Sequence, residues 1–599
     1  MKPRRVTPAV VAALCALLVL SAAPAAPGSA AEAPAEHTAD AESFVERDDD
    51  LPHPFTERRR QRRDAAVRAI TEKPGLAART VPAGKVGTAE TRPPAEARVF
   101  VILVEFGDRL DAPNAQRYGS RPGPRHGAIP APDRARDTTT MWRPSYERDH
   151  YQDLFFGPGT AAPSLASYYR GQSAGRYSID GEVTDWVRVP YNEARYGNDG
   201  CGRNVCRDVW DLVQDAMKVW YDGRLAQGLT PAQVREQLAS FDRWDRDDFD
   251  GDGDFDEPDG YLDNVEIVHA GVDKAQGGGE QGRGAVWSHR WYAYADRTGH
   301  TGPAANRAGG TPIGDSGIWV GDYTIQSENG GLGVIAHEFG HNLGLPDLYD
   351  RDDSTDGPPG FWSLMALGGY LGDEDGAGSL PGSLSAWDKL QLGWLDVRVV
   401  DRTRRTVVQL APNQSTGDPQ ALLIPLPPRR GSGGKRWYLV ENRQYVGADT
   451  ALVAGPYQIT SGKRVATHFP YGEGVLIWLW DTSYTDNDVS RHPGEGLILP
   501  VDIHPTPLLD PNGKPLPARF QTADAALTAP DEQTSAINLG RLGNFPSRPG
   551  VPTFTDTIEY WSATAPDIGV KVPATGTRIT AEGPTRNGNA TRLTVGPTN

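Results

Sequence analysis

The chain has 599 residues, which is too long for one hydrophobic core, so two or three domains are expected. Its 61 Lys and Arg and 78 Asp and Glu give a formal net charge of −17, which argues against a nucleic-acid partner and suits a soluble protein that binds cations. The 15 tryptophans allow large cores, and the 68 glycines and 50 prolines favour a loop-rich, partly β architecture.

The first residues have the features of a targeting segment. Lys2, Arg4 and Arg5 precede an unbroken apolar run at 9–20, and small residues at 28–31 offer a cleavage site. We therefore predict a signal peptide at 1–31, export by the ordinary secretory path, and a secreted, extracellular protein. The apolar run is too short to span a bilayer and no later stretch is suitable, so we expect no stable membrane association.

Residues 32–96 are rich in Ala, Pro, Glu and Arg and contain few aromatic residues that would anchor a core. This composition indicates a propeptide. A helix is expected at 56–70, where a basic run at 58–63 suits docking on an acidic mature domain as a chaperone or inhibitor. A disordered spacer is the alternative.

Residues 97–395 are predicted to form the next domain, which we class as α+β. Its apolar, β-branched beginning is typical of a buried strand, and helical spacing follows. A strand followed by helices predicts an α/β or α+β domain. The expected elements are a strand at 99–106, helices at 151–156, 164–169 and 207–221, and an alternating strand at 177–183.

The chain has three cysteines, of which Cys15 lies in the predicted signal peptide. Only Cys201 and Cys206 remain, and in an exported chain this pair is predicted to close a small disulfide loop. Two free thiols are the alternative. A structural Cys-rich zinc site is excluded by the count.

An aspartate-rich stretch at 245–260 has the spacing of an EF-hand-type calcium loop, with Gly253 at the sixth position. Such dense negative charge needs a cation to be compact, whereas a solvated acidic loop is the alternative. Pro258 and the lack of obvious flanking helices indicate an arrangement that differs from an EF-hand. The predicted calcium ligands are Asp248, Asp250, Asp252 and Asp259.

The stretch at 330–347 carries the clearest chemical signal. In a buried helix from 333 to 343, His337 and His341 project from the same face one turn apart, so both imidazoles reach one metal. Glu338 points about a quarter turn away, where its carboxylate contacts a water on that metal without being a ligand. The alternative is a chance match in a core helix whose histidines are satisfied by hydrogen bonds.

The residues after this helix supply a candidate third ligand. Gly344 suits a left-handed helix end and Pro346 stops the helix, so Asp347 lies where the returning chain offers a carboxylate. The extended pattern resembles the metzincin signature with aspartate in place of the third histidine, and Met365 lies at a suitable distance for the methionine turn. A thermolysin-like enzyme would instead use a glutamate further on, but Glu374 lies among too many glycines to be on a rigid helix.

Residues 396–599 consist of short alternating runs separated by Gly, Pro and Asn-Gly, which predicts a β-rich, β-sandwich-like C-terminal domain. An acidic cluster at 481–488 is expected to be an ordinary exposed loop, with a second cation site as the alternative.

The order of these motifs resembles the immune inhibitor A family of secreted bacterial metallopeptidases, and the similarity extends over roughly residues 98–502. The resemblance implies a prosegment, a zinc-dependent catalytic domain of metzincin-like type, bound calcium and proteolysis of extracellular proteins. The segments that carry it lie at 99–106, 168–189, 257–263, 268–271, 286–291, 323–350, 384–395, 438–443 and 474–478.

The predicted function is that of a monomeric zinc endopeptidase acting on proteins or peptides. Zinc on three protein ligands lowers the pKa of its water to about 7, and Glu338 takes the proton and later delivers it to the leaving amine. The competing hypotheses are a zinc amidase acting on cell-wall peptides and a non-catalytic, calcium-stabilised adhesion protein. Glu338 argues against the latter.

Overall fold

The computed structural model describes residues 51–598 except 74, 75, 77, 161, 352–355, 418, 430, 432, 460–463, 530 and 587. The predicted signal peptide at 1–31 and the beginning of the predicted propeptide at 32–50 lie outside the described residues. Those that are described belong to one compact unit. Among them, no helix has the length and apolar character needed to cross a membrane.

The helices predicted at 56–70, 151–156, 164–169 and 207–221 are confirmed, with small shifts at their ends. The α-helices of the described residues are α1 (Thr56–Glu72), α2 (Ala112–Tyr118), α3 (Arg148–Phe156), α4 (Leu165–Gln172), α5 (Val209–Ala226), α6 (Pro231–Leu238), α7 (Leu332–Asn342), α8 (Ala386–Gln391) and α9 (Ala518–Gln521). Polar residues cap the N-termini of two of these helices. Ser164 caps α4 and Thr230 caps α6, each with a reciprocal capping box.

The strands are short and fall into two groups. The first group contains β1 (Thr80–Pro82), β2 (Thr88–Glu90), β3 (Glu96–Glu105), β4 (Ser178–Val183), β5 (Val187–Arg188), β6 (Val265–His269), β7 (His289–Tyr292), β8 (Thr311–Pro312), β9 (Trp319–Val320) and β10 (Asp322–Ser327). The second group contains β11 (Val397–Val399), β12 (Thr406–Leu410), β13 (Ala421–Leu426), β14 (Arg436–Arg443), β15 (Tyr457–Ile459), β16 (Ala466–His468), β17 (Gly474–Asp481), β18 (Ile498–Pro500), β19 (Ile537–Asn538), β20 (Asn544–Phe545), β21 (Thr553–Thr555), β22 (Tyr560–Ser562), β23 (Ala565–Val570), β24 (Thr577–Pro584) and β25 (Thr591–Pro597).

The main sheet of the first group has the order β4-β3-β6-β10-β7, and β5 also pairs with β3. All pairings along it are parallel except that of β7, which is antiparallel to β10. Alternate side chains of β3 enter different cores: Val101 packs in the cluster that contains α7, and Ile102 packs in the cluster that contains α5. A strand buried on both faces explains the continuous apolar run at 99–106. This part of the chain is therefore mixed α/β, with a mostly parallel sheet.

The C-terminal region is β-rich, and its two largest sheets have the orders β11-β13-β14-β17-β18 and β12-β25-β24-β21. The first of these sheets is buried on both faces. Tyr438 and Ile477 pack toward the second sheet, whereas Leu439 and Trp478 belong to the core that contains α7. The β-rich region consequently shares a core with the part of the chain that carries the histidine motif.

Helix α1 lies against the aspartate-rich loop through buried ion pairs. Arg59 forms a two-pronged contact with Asp247, at 3.1 and 2.6 Å, and also bonds Asp322 at 2.9 Å. One turn later, Arg62 bonds Asp248 at 2.8 Å. The basic run at 58–63 is therefore not simply an exposed charged face, because Arg59 and Arg62 hold the helix against acidic residues.

The predicted disulfide is confirmed. Cys201 and Cys206 are bonded to each other in a small loop just before α5.

Candidate metal centre

Helix α7 carries the predicted histidines and is buried along nearly its whole length. Its backbone lies close to neighbouring segments, since a Cβ atom at Gly333 would be 2.3 Å from a carbonyl oxygen and one at Gly340 would be 2.5 Å from Met365 Sδ. Gly344 follows with φ of +90°, a left-handed conformation that glycine adopts without strain. The prediction of a buried helix that stops near Gly344 is confirmed.

His337, His341 and Asp347 bring three donor atoms together. The Nε2 atoms of the two histidines are 3.2 Å apart, and Asp347 Oδ1 lies 3.3 Å from His337 Nε2 and 3.2 Å from His341 Nε2. A tetrahedral zinc ion with bonds of about 2.0–2.1 Å holds its ligands about 3.3 Å from one another. The three buried donors thus have the spacing required to hold one such metal.

Backbone carbonyls orient both imidazole rings. His337 Nδ1 donates to the carbonyl of Leu364 at 2.9 Å, and His341 Nδ1 donates to the carbonyl of Leu345 at 2.8 Å. With the proton on Nδ1, each Nε2 keeps a lone pair that points toward the shared centre. The turn after α7 therefore supplies both a carboxylate and a carbonyl that orients a histidine.

The carboxylates near the motif have different environments. Burial raises the pKa of Asp347, but the nearby His341 and His337 outweigh burial and hold this pKa well below its ordinary value. Glu338 directly follows His337 and is also buried. Glu374, the alternative ligand, is exposed in a turn and is not grouped with the histidines.

Met365 is fully buried beneath α7, where its sulfur faces Gly340. Its carbonyl accepts the backbone N–H of Leu348 at 2.7 Å, which ties this segment to the turn that carries Asp347. Ser363 stabilises the same segment, because its hydroxyl donates to Asp388 at 2.7 Å and accepts the N–H of Met365 at 3.1 Å.

A loop from the C-terminal region holds the other side of the same turn. Asn487 donates to the carbonyl of Leu348 at 3.0 Å, and Ser490 bonds the carboxylate of Asp350 through its backbone N–H at 2.7 Å and its hydroxyl at 2.9 Å. The expectation of an ordinary exposed loop at 481–488 was wrong, since Asn487 is fully buried. No local pattern predicts this contact, because its partners are 139 residues apart in sequence.

The aspartate-rich loop gathers two overlapping sets of carboxylates, in each of which the candidate ligand atoms lie within 4.8 Å of one another. The sets are Asp248, Asp250 and Asp252, and Asp245, Asp250 and Glu257.

Asp259, predicted as the twelfth ligand of this loop, belongs to neither set. Its backbone N–H instead bonds Asp242, and its carboxylate accepts the N–H of Tyr261. The structure therefore does not group Asp259 with the other predicted calcium ligands. Asp245 and Glu257 also lie within the acidic stretch, but they were not among the predicted ligands.

Replacing Asn487 by Ala is expected to weaken metal binding by about tenfold or more, because the turn carrying Asp347 loses a hydrogen bond that orients it. Zinc affinity is measured by competition with a chelator. Asn512→Ala, at an exposed position in the same region, is the matched control and should bind normally. Equal zinc affinities of the two variants would contradict the positioning role of Asn487.

Two segments of the chain match described families. Residues 87–395 match the catalytic domain of the immune inhibitor A peptidase M6 family, and residues 433–593 match the VEG domain of immune inhibitor A-like metallopeptidases.

Curated relatives agree with these matches. Immune inhibitor A of Bacillus thuringiensis subsp. alesti is 34% identical over 307 residues, covering 49% of this chain and 39% of the relative. Pre-pro-metalloprotease PrtV of Vibrio cholerae serotype O1 (strain M66-2) is 33% identical over 319 residues, covering 50% of this chain and 33% of the relative. The matched part of the chain thus spans less than half the length of either relative. The chain belongs to the immune inhibitor A (peptidase M6) family of metallopeptidases.

Proposed function

We propose that this protein is a secreted, zinc-dependent endopeptidase that hydrolyses peptide bonds of extracellular proteins. The observation that carries the proposal is the convergence of His337, His341 and Asp347 at 3.2–3.3 Å, with Glu338 beside them on a buried helix. Zinc is the metal that two imidazoles and one carboxylate suit, because three ligands leave a position open for water. Membership of a metallopeptidase family supports the same assignment.

In this mechanism each residue has a separate task. His337, His341 and Asp347 would hold the zinc, which when bound would lower the pKa of a water to about 7 and polarise the substrate carbonyl. The Glu338 carboxylate accepts the proton of the attacking water and then delivers it to the leaving amine. A carboxylate that also ligated the metal would be a poorer base, so the position after His337 suits this role.

The fold supports a metzincin-like interpretation. Strand β7 is the antiparallel edge of an otherwise parallel sheet, and a strand in this position suits pairing with an extended substrate. Gly344 reverses the chain after α7, and Met365 lies beneath that helix. We assign residues 97–395 to this catalytic domain and 396–599 to a β-sandwich-like domain whose two sheets share one core.

Two other functions remain as competitors. A zinc amidase acting on cell-wall peptides would use the same residues, so digestion of casein against peptidoglycan fragments distinguishes it from an endopeptidase. A non-catalytic, calcium-stabilised adhesion protein would have no use for Glu338 beside the histidines.

The general base is tested by Glu338→Ala in the purified mature protein. Cleavage of unfolded casein is expected to fall by about 10²–10⁴-fold, because proton transfer is lost, whereas bound zinc stays at its original amount. Casein turnover and zinc content are measured on the same sample. Casein turnover at the original rate would contradict the assignment of Glu338 as the general base.

The third ligand is tested by comparing Asp347→Ala with Glu374→Ala. The first variant should lose zinc and activity while its circular dichroism is retained, and the second should keep both because Glu374 is exposed in a turn. The opposite pattern would exclude the metzincin-like assignment.

Residues 32–96 are proposed to be a prosegment that blocks the substrate edge. Leu51 donates its N–H to the carbonyl of Arg290 on β7, so this segment occupies part of that edge. Burial raises the pKa of Asp247, but Arg59 outweighs burial and holds the pKa below its ordinary 3.8. The docking contact is therefore fully present above that value and is lost only as the pH falls through the lowered pKa.

Arg59→Ala is expected to loosen the prosegment, because it leaves the Asp247 carboxylate buried without its partner. In a Glu338→Ala background that prevents self-cleavage, amide hydrogen exchange of α1 should become at least about tenfold faster. Arg68→Ala, at an exposed position on the same helix, is the control and should exchange like the parent. Identical exchange in both variants would contradict an electrostatic docking.

The aspartate-rich loop is proposed to bind calcium, since hard oxygen ligands crowd together there and repel one another without a cation. Asp250 belongs to both carboxylate sets and is the best single position to test.

Removing calcium from the mature protein with a calcium-selective chelator should lower its Tm without removing zinc. Asp250→Asn should make the Tm insensitive to calcium. Equal Tm values of the unaltered protein with excess calcium and with chelator would count against the site.

A further inference from the structure

A second group of histidine and aspartate side chains lies in the C-terminal region, apart from the α7 centre. Asp502 and His504 follow β18, and Asp524 ends the turn after α9. Each offers a ligand atom, and these atoms lie within 4.8 Å of one another. All three residues are more than nine-tenths buried, with 8%, 8% and 6% of their surface exposed.

The hydrogen bonds of this group leave specific atoms available. His504 Nδ1 donates to the backbone carbonyl of Asp524 at 2.9 Å, the same orientation as in both α7 histidines. Its Nε2 lies 3.5 Å from the carbonyl of Pro549, too long for a strong hydrogen bond. Asp502 uses one oxygen to accept the N–H of His504 at 2.8 Å.

Asp524 supplies the observation that points to a ligand. Its Oδ2 accepts both the Nε of Arg548, at 2.9 Å, and a terminal N–H of the same guanidinium, whereas its Oδ1 is fully buried and has no hydrogen-bond partner among the described residues. A buried carboxylate oxygen without a partner is costly, so it requires an explanation such as a bound ion.

We propose that Asp502, His504 and Asp524 bind a divalent transition metal of the zinc class. One imidazole and two carboxylates form a nitrogen and oxygen donor set that zinc accepts at four-coordinate sites, with a water as the fourth ligand. Calcium is disfavoured because it takes six to eight oxygen ligands.

The position of this site gives it a structural role. The carbonyl of Thr522, two residues before Asp524, accepts the indole N–H of Trp362 at 2.8 Å. Trp362 is fully buried and lies in the segment that leads to Met365. Metal binding at Asp524 would therefore brace the C-terminal segment that supports the methionine turn.

The test counts zinc in the full chain with Glu338→Ala, which prevents self-cleavage. The protein is stripped with a chelator, reloaded with Zn²⁺, desalted and analysed by elemental mass spectrometry. The proposal expects two zinc ions per chain in this parent, one after His504→Gln and one after His337→Ala, and none with both changes. Asp524→Asn should also lose one zinc while keeping the zinc bound by His337.

The alternative explanation is that a proton, shared among the buried aspartates and His504, takes the place of the metal. One zinc in the parent that is unchanged by His504→Gln and lost with His337→Ala would overturn the proposal, as would calcium in place of zinc at His504. One zinc in the parent that is lost with His504→Gln and unchanged by His337→Ala would contradict the proposed enzyme instead. The two failures are therefore distinguishable. Should His504→Gln fail to fold, Asp524→Asn and the parent's stoichiometry still decide the outcome.

Discussion

The structure depends on keeping polar ligands rigid inside a buried helix. Two imidazoles and two carboxylates in and just after α7 are buried away from water. Buried polar groups without hydrogen-bond partners destabilise a fold. The carbonyls of Leu364 and Leu345 satisfy the Nδ1 atoms of the two histidines, and they do so from segments on either side of the turn. The segments that pack against α7 therefore also orient its candidate ligands, so a change in this packing would change their orientation.

The C-terminal sheets contribute to the same constraint. The sheet of β13, β14 and β17 is buried on both faces, with Trp478 in the core of α7 and Ile477 in the core of the C-terminal region. Asn487 reaches from this region to the turn that carries Asp347. The C-terminal region thus contacts the turn that carries a candidate metal ligand, and the two segments matched by separate family models are joined at this point.

The excess of acidic residues is organised locally. Asp247 and Asp248 face arginines of α1, while Asp250 and Asp252 lie exposed in the same loop. Part of the negative charge is consequently neutralised by arginines of the same chain, and part is exposed. This division follows from the helical spacing of Arg59 and Arg62, which lie three residues apart and face the same loop.

The sequence by itself determined the features that depend on local chemistry. The spacing of His337 and His341 identified the shared helical face, Gly344 and Pro346 identified the helix end, and the apolar run at 99–106 identified a buried strand. Each follows from backbone geometry over a few residues. Only the tertiary structure decided which distant segments meet: that Asn487 supports the turn of Asp347, and that His504 lies against Asp524. Such contacts depend on how whole sheets pack, and no periodicity within a short window records that packing.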